Sequence, residues 1–462
     1  MERAGAVRHI RHVGIGERLN SVDEEATCSR KRWGSDIYFM ILIYISQMYY
    51  DIIIIGSGIS GLYAAYNIQK MSPSTSFIIL EKYKKNWIGG RTNNDMFYGT
   101  QVVTGAGVGR KNKDKLLIHL LSELNLPYEE YNFKPYYSTQ IDNIVDIKKV
   151  IQYLKNEYNK NKNQTRIAFK EFANPILGDK LYNDFLVSAG YTDYENEDAF
   201  DVIHNYGMDD NACCWKGLRI NWKELVTTLH NKIGIDKIKT SMNVVSIKKT
   251  RENPCLFSVE TDKEIVFESN KVIVATTIDS IKQIIPSASG KNSIYNEIKS
   301  QNFLRLYGKF SKKSSDIMKE YIKGYTIVPG PLQKIIPINA SKGVYMIAYA
   351  DNINATFLKK YLENTPKNRD VFCYLLEKSL GITDKRLELI AIKDYYWPIG
   401  THYYTPLTNK YENREEFIHN AQNPENGILV VGEVVSDNQG WSEGALSSVK
   451  AVLNKKWVKS VC

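Results

Sequence analysis

The residues of this chain that could do chemistry begin with a glycine-rich turn and an acid that follows it. Gly56, Gly58 and Gly61 have the spacing GxGxxG, with Ser60 among them. In this spacing the first glycine permits a tight turn, the second lets the backbone approach a pyrophosphate, and the third lets a helix and a strand pack closely. Glu81 stands where a carboxylate accepts hydrogen bonds from ribose hydroxyls. Glycines alone also make ordinary turns, but this order of residue types is typical of a dinucleotide site.

The elements that must position these residues are a strand, a helix and a second strand. Residues 52–55 are consecutive isoleucines, which suits a parallel strand buried on both faces. Apolar residues then recur at helical spacing up to Ile68, and residues 77–80 form a second apolar run before Glu81. The glycines therefore lie between a strand and a helix N-terminus, which offers free N–H groups to phosphates.

A second glycine pair narrows the choice of dinucleotide. The acid Glu81 disfavours the 2′-phosphate of NADP, but it does not separate NAD from FAD. Gly89-Gly90-Arg91-Thr92 follows a lysine-rich turn that begins at Lys82. Adjacent glycines let the backbone pass close to a bulky ligand, and the rigid fork of Arg91 suits a phosphate or the ring carbonyls of a flavin. An NAD dehydrogenase needs no such element, so the sequence favours FAD.

Both ends of the chain resemble one family. Strand, GxGxxG, helix, strand, glutamate and GGR is the opening of the flavin-containing amine oxidase superfamily, which includes monoamine, polyamine and L-amino-acid oxidases, protoporphyrinogen oxidases and desaturases. Near the other end, the apolar run 428–431, Gly432-Glu433 and the segment GWSEGAL at 440–446 resemble the final flavin motif of that family. The resemblance implies an α/β fold with a discontinuous Rossmann-like FAD-binding domain and an inserted α+β substrate-binding domain of the amine oxidase type.

The resemblance also implies which residues contact FAD. Val244, or else Val245, would lend its backbone to the adenine end, and the glycine-rich segment 105–109 either runs past the flavin ring or is an ordinary loop. N–H groups near the second helix N-terminus would reach the flavin O2 edge. The expected FAD-binding residues are Gly56, Gly58, Ser60, Gly61, Glu81, Lys82, Gly89, Gly90, Arg91, Thr92, Gly107, Val244, Gly432, Glu433, Gly440, Trp441, Gly444 and Ala445.

The substrate pocket is expected between two aromatic walls beside the flavin. By resemblance, Trp441 forms one wall and either His402 or Tyr403, in the stretch YYWPIGTHYYTP, forms the other. The alternative is that these rings belong to the core, but Pro and Gly in the stretch argue against a plain core strand. The position that carries a covalent flavin thioether in monoamine oxidases corresponds to Thr401, so we expect the FAD to be bound non-covalently.

Arg305 departs from the family pattern. Many members place a lysine here that holds a water under flavin N5, whereas this chain reads RLYGKF. An arginine stays protonated and is longer, so it does not copy the lysine closely. Three readings remain open: Arg305 binds a substrate carboxylate, Lys309 replaces the lysine through a register shift, or the reaction with O2 is slow.

Length and composition fit a globular protein of several domains. The chain has 462 residues, a net charge of +10, 43% hydrophobic and 24% charged residues. Its lysines are scattered and form no basic stripe, so we expect no nucleic-acid partner. We predict an atypical N-terminal extension (1–47), three FAD-domain segments (48–125, 213–278 and 391–462) and two substrate-domain segments (126–212 and 279–390).

Targeting features point to the cytoplasm. The apolar run 37–50 is shorter than the ~20 residues that span a bilayer, no cleavage pattern follows it, and no apolar tail follows the final motif, so we expect no membrane anchor. None of the cysteines has metal-ligand spacing, and adjacent cysteines such as Cys213 and Cys214 rarely pair, so we expect reduced thiols and no metal. The Ile-, Lys-, Asn- and Tyr-rich composition resembles that of amine oxidases from large DNA viruses, so packaging in a virion is the alternative location.

The function expected from the sequence is FAD-dependent oxidation of an amine, whether a monoamine, a polyamine or an amino acid. A Cα–H hydride passes to flavin N5, and O2 is reduced to hydrogen peroxide. Two alternatives remain: a desaturase or protoporphyrinogen-oxidase-like enzyme, and a flavin-bound structural or packaged protein with weak or no activity. The sequence does not specify the amine or the oligomeric state.

Overall fold

A computed structural model describes residues 49–160, 166–383, 386–460 and 462. The predicted extension 1–47 lies outside these residues. The strands are β1 Tyr49–Ile55, β2 Phe77–Glu81, β3 Asn94–Phe97, β4 Thr100–Val103, β5 Gly109–Arg110, β6 Tyr128–Phe133, β7 Tyr136–Tyr137, β8 Trp215–Ile220, β9 Ile238–Thr240, β10 Val244–Glu252, β11 Cys255–Thr261, β12 Val266–Val274, β13 Ile298–Phe310, β14 Thr326–Ile327, β15 Lys334–Asn339, β16 Val344–Asp351, β17 Leu389–Tyr404 and β18 Ile428–Val430.

The helices connect and cover these strands. They are α1 Ile59–Met71, α2 Lys115–Glu123, α3 Ile147–Lys160, α4 Phe169–Ala189, α5 Ala199–His204, α6 Trp222–Ile233, α7 Ile278–Ile284, α8 Lys312–Tyr321, α9 Asn352–Lys359, α10 Pro366–Leu380, α11 Arg414–Gln422, α12 Ser442–Val452 and α13 Lys455–Lys459. None of the helices in the described part of the chain combines the length and the apolar character that a membrane span needs.

The first sheet gathers strands from three distant parts of the chain. Its order is β10-β11-β12-β1-β2-β9, and β18 pairs with β12. β1 and β2 are parallel, with Ile55 opposite Leu80, and the isoleucines of β1 are buried as a run apolar on both faces requires. The predicted strand, glycine turn, helix and strand are all present. The sheet therefore brings the ends of the described chain together.

The second sheet has the order β17-β13-β16-β15-β14-β7. Its long strands β13 and β17 are antiparallel, with Arg305 opposite Tyr395 and Gln301 opposite Thr401. The segment 391–462, which we assigned to the FAD domain, thus contributes its first strand to this sheet. Both sheets lie in one compact unit, Tyr50–Cys462, and helices α3, α4 and α5 form a separate apolar cluster within it.

The expectation that the cysteines are reduced is wrong for two pairs. Cys255 and Cys462 form a disulfide, because the C-terminal end of the chain returns to β11 and brings the Cα atoms within 5.2 Å. Cys213 and Cys214 also form a disulfide although they are adjacent, and Cys214 has φ 81°. Among the described residues, Cys373 is free and buried.

Substitutions at two glycines of the first turn are expected to affect stability unequally. A Cβ at Gly61 would lie 2.0 Å from the carbonyl oxygen of Gly56, whereas one at Gly58 would meet no atom within 4 Å. We expect Gly61→Ala to lower the free energy of unfolding by about 3 kcal/mol through overpacking, measured by urea denaturation of the protein without added FAD. Gly58→Ala, the matched control, should unfold at the parent urea concentration. Equal stability of the two variants would contradict this packing.

Candidate functional site

A cavity of about 1140 Å³ passes from the glycine turn of the first sheet to the face of the second sheet. Its lining combines residues from both sheets and from the loops between them. Of the residues expected to bind FAD, those on its wall are Gly56, Gly58, Ser60, Glu81, Lys82, Gly89, Gly90, Arg91, Thr92, Gly107, Val244, Gly432, Glu433, Gly440, Trp441 and Ala445.

Gly61 and Gly444 are the expected FAD-binding residues that do not line the cavity. Each lies behind the wall, where a side chain would collide with backbone: a Cβ at Gly444 would lie 2.1 Å from the carbonyl oxygen of Asn438. Both glycines therefore serve close packing at the start of a helix. For Gly61 this is the role that the third glycine of the fingerprint has.

The first helix presents its N-terminus to the cavity. Gly58 is the N-cap of α1, and no side chain caps that end. The first N–H groups of a helix have no acceptor within the helix, so they remain available to a ligand together with the positive end of the helix dipole. Open space beside Gly58 gives an anionic group room to approach the backbone. The turn is thus a cradle that a phosphate fits.

Glu81 lies at the end of β2, on the cavity wall. One of its carboxylate oxygens accepts from the backbone N–H and the hydroxyl of Ser57, each at 2.7 Å, and the other accepts from the N–H of Tyr83 at 2.9 Å. The glycine turn and the acid are therefore joined directly. The carboxylate is fixed on the wall where the sequence predicts a ribose-binding acid.

The N-terminal and C-terminal motifs meet at one ion pair. Arg91 Nη1 donates to Glu433 Oε1 at 2.8 Å and to the carbonyl oxygen of Gly400 at 2.7 Å. The same Oε1 lies 2.5 Å from His402 Nδ1, and the N–H of Gly440 donates to Glu433 Oε2 at 3.1 Å. Three segments that are far apart in sequence are thus tied together at the cavity wall.

The charge state of Glu433 follows from these contacts. Burial opposes ionisation, but His402 and Arg91, with the N–H of Gly440, lower the pKa of Glu433 well below its usual range. The N–H of Ile278 donates to His402 Nε2 at 3.2 Å, which leaves Nδ1 as the protonated nitrogen that donates to Glu433. Glu433 is therefore a buried carboxylate whose two oxygens are both hydrogen-bonded.

The structure corrects the expected second aromatic wall. His402 is buried against Glu433 and Tyr403 is half-buried, and neither lines the cavity. The aromatic residue of this stretch that reaches the cavity is Trp397, whose indole N–H donates to the carbonyl oxygen of Thr104 at 2.7 Å. Thr401 lines the cavity as well.

Trp441 lines the cavity as expected. The guanidinium carbon of Arg110 lies 3.7 Å from the centre of its indole ring, and Arg110 is itself held by Asp114 and Asp210. A cation on one ring face leaves the other face of Trp441 for a ligand. The buried ion pairs thus fix the orientation of this wall.

Arg305 also reaches the cavity. Its Nε donates to the carbonyl oxygen of Gly105 at 2.7 Å, and its guanidinium lies 4.1 Å from the centre of the Tyr349 ring. Lys309, the proposed substitute, donates to the carbonyl oxygen of Lys342 and does not line the cavity. The register-shift reading is therefore wrong, and Arg305 is the cation at this part of the wall.

The sequence analysis did not identify two ionisable residues near the second sheet, Asp193 and Lys334. Asp193 lines the cavity and accepts from the hydroxyl of Tyr206 at 2.6 Å; burial and the nearby carboxylate of Asp351 raise its pKa to about 7. Lys334 is fully buried, lies 3.2 Å from the centre of the Tyr191 ring and has a pKa lowered to about 7 by burial. The segment AGYTDYENED contains four acidic residues, and nothing in the sequence distinguishes Asp193 from the other three.

The described residues were also compared with the requirements of a metal site. Over residues 49–160, 166–383, 386–460 and 462, no three His, Cys, Asp or Glu side chains are arranged to hold an ion. The titratable groups on the cavity wall are instead engaged with each other and with backbone groups, as described above for Glu81, Glu433 and Asp193.

Among the comparisons with known proteins, those with solved structures show the fold. No protein-family model matches the chain. Uncharacterized protein R188 of Acanthamoeba polyphaga mimivirus is 21% identical over 88% of this chain and 93% of its own length, which supports the predicted viral origin. Wild-type putrescine oxidase bound to putrescine superposes with a TM-score of 0.68 at 15% identity, covering 87% of this chain and 98% of that one.

A redesigned triple mutant of putrescine oxidase gives a TM-score of 0.67 at 16% identity, over 87% of this chain and 97% of that one. At such identities the likeness establishes the fold alone. The expected mixed α/β architecture is confirmed, and this chain has the amine oxidase fold that putrescine oxidase has.

Proposed function

We propose that this protein is an FAD-dependent oxidase of an amine that also carries an acidic group. The observation that carries the proposal is the Arg91–Glu433 pair, which closes a glycine-turn motif and a C-terminal motif around one cavity. The fold shared with putrescine oxidase supports an oxidase of amines. A viral source is compatible with action in the cytoplasm of an infected cell or with packaging in the virion.

The residues present fit FAD. The uncapped N-terminus of α1 beside Gly58 would take the pyrophosphate, Glu81 the ribose hydroxyls, and the backbone of Val244 the adenine end. Arg91 and the backbone at Ala445 would take the isoalloxazine end. Thr401 offers no thiol for a covalent bond, so the cofactor would be held non-covalently. When bound, FAD supplies the electron pair acceptor that no side chain provides.

The side chains around the second sheet would orient the amine. Trp441 and Trp397 offer apolar ring surface, which excludes water from the reacting carbon. Arg305 is a permanent cation on the cavity wall, which suits a carboxylate of the substrate. Asp193, with its pKa raised to about 7, can hold or release a proton near neutral pH. An amino-acid-like substrate is the class that this charge arrangement favours.

The proposed activity is tested by anaerobic reduction of the purified, FAD-loaded protein. We expect the visible flavin absorbance to bleach with at least one member of a panel of monoamines, diamines, polyamines and amino acids, and admission of air to restore it with release of hydrogen peroxide. Dithionite serves as the control that the bound flavin is reducible. Bleaching by dithionite and by none of the amines would contradict the proposal.

Arg305 predicts which amines react best. Replacing Arg305 by Gln should lower kcat/KM for carboxylate-bearing amines about tenfold or more, because a charge-assisted hydrogen bond contributes about 1.5–3 kcal/mol. Amines without a carboxylate should change little. Arg305→Lys, which keeps the charge, should retain part of the preference, and the flavin content of each variant controls for folding. An equal loss for both classes of amine would show that Arg305 does not contact an acid.

A further inference from the structure

We propose that Cys213 and Cys214 form a redox-active dithiol site that hydrogen peroxide oxidises to the vicinal disulfide. This inference rests on the proposed function for the source of peroxide. The pair forms a disulfide in the structure, and no step described for the amine reaction uses it. Cys214 is solvent-exposed and Cys213 is half-buried, so an oxidant reaches the sulfurs from outside the core.

The pair adjoins the wall of the cavity without itself lining it. Asn211 and Trp215, on either side of it in the chain, both line the cavity. The N–H of Cys214 donates to the carbonyl oxygen of Phe133 at 3.1 Å, and the Trp215 ring stacks on the Phe133 ring at 4.8 Å between centroids. Phe133 lines the cavity too. Peroxide formed in the cavity would therefore arise beside the wall residues that flank these sulfurs in the chain.

The backbone conformation of Cys214 links the redox state of the cysteine pair to the shape of the cavity wall. Cys214 has φ 81°, a conformation that residues with a side chain rarely adopt. A disulfide between adjacent residues closes a covalent ring through their peptide bond, which restrains this conformation. The dithiol lacks that restraint, so Cys214 can return to the usual region of φ. Its neighbour Trp215 would then move relative to Phe133 and change the shape of the cavity.

The chemistry balances without a further reactant. A thiolate sulfur attacks one oxygen of hydrogen peroxide, the O–O bond breaks, and a sulfenic acid and one water result after proton transfer. The neighbouring sulfur attacks the sulfenic sulfur, the S–S bond forms and a second water leaves. Two thiols and one peroxide thus give one disulfide and two waters. The resolving thiol is the adjacent residue, so closure requires only a local change in the backbone at Cys214.

The other disulfide of the chain is a natural comparator. Cys255 is fully buried, and neither it nor Cys462 lines the cavity. Its partner Cys462 is half-buried, so a small thiol reaches this disulfide less readily than it reaches the exposed Cys214. A brief treatment with dithiothreitol should therefore open the vicinal pair first. The tryptic peptide 181–216 carries Cys213 and Cys214 as its cysteines, so mass spectrometry after alkylation counts their thiols alone.

The experiment uses the full-length, FAD-loaded protein after brief reduction and desalting. One equivalent of hydrogen peroxide, without amine, should close the pair in peptide 181–216 about tenfold faster than it modifies the Cys373 thiol. Cys213→Ser, which keeps Cys214 but removes its resolving partner, should give sulfenic acid and no disulfide. In a second arm an oxidisable amine replaces the peroxide, and catalase should suppress closure.

The arms separate this inference from the proposed function. Closure by added peroxide, with no amine that produces peroxide, supports the dithiol site and contradicts the oxidase. Peroxide production with a pair that stays doubly alkylated overturns the dithiol site and leaves the oxidase standing. The KM for the amine should differ between the oxidised and reduced protein, and the Cys213→Ser/Cys214→Ser variant should show no such difference. An equal KM in both redox states would overturn the link to the cavity wall.

Discussion

The ion pair between Arg91 and Glu433 is the interaction on which the cavity depends. Glu433 is almost fully buried, and an isolated carboxylate in such a place is costly. Arg91, His402 and the N–H of Gly440 together keep it ionised and satisfied. Breaking a buried pair by removing one partner typically costs about 3–5 kcal/mol, because the other charge is left uncompensated. The wall therefore forms only when all of these segments are in place.

This requirement explains how two sheets share one site. Arg91 also donates to the carbonyl oxygen of Gly400 in β17, a strand of the second sheet. Glu443 in α12 accepts from the N–H groups of Leu116 and Leu117 at the start of α2. Two acids of the C-terminal motif, Glu433 and Glu443, thus accept hydrogen bonds from the N-terminal part of the chain. A ligand in the cavity contacts a wall whose parts are already fixed, which lowers the entropy cost of binding.

Local rules predicted the parts of the site that are built from backbone. The isoleucine run, the GxGxxG turn and Glu81 were foreseeable because a short stretch of sequence determines a strand, a turn and a helix N-terminus. The pairing of Arg91 with Glu433 joins residues that are 342 positions apart, so it depends on the tertiary fold. The aromatic side chain of β17 that reaches the cavity was not foreseeable: Trp397 lines it and the expected His402 and Tyr403 do not, because the tertiary fold decides which part of the strand faces the cavity.

Contacts between residues far apart in the chain were also not predicted from the sequence. Nothing in the spacing of Cys255 and Cys462 indicates that they meet, since 207 residues separate them. The raised pKa of Asp193 depends on burial and on the carboxylate of Asp351, which only the assembled fold brings near. The pairing of these cysteines and the pKa of this carboxyl are set by tertiary packing, which secondary-structure propensity and hydrophobic periodicity do not predict.

The central claim is that Arg91 and Glu433 act as a unit to form the FAD site. A double-mutant cycle with Arg91→Met, Glu433→Gln and the double variant measures this directly through the dissociation constant of FAD. If the pair is a unit, each single variant weakens FAD binding by a similar factor and the double variant is scarcely worse, with a coupling energy of about 2 kcal/mol or more. Strictly additive losses in the double variant would contradict the account.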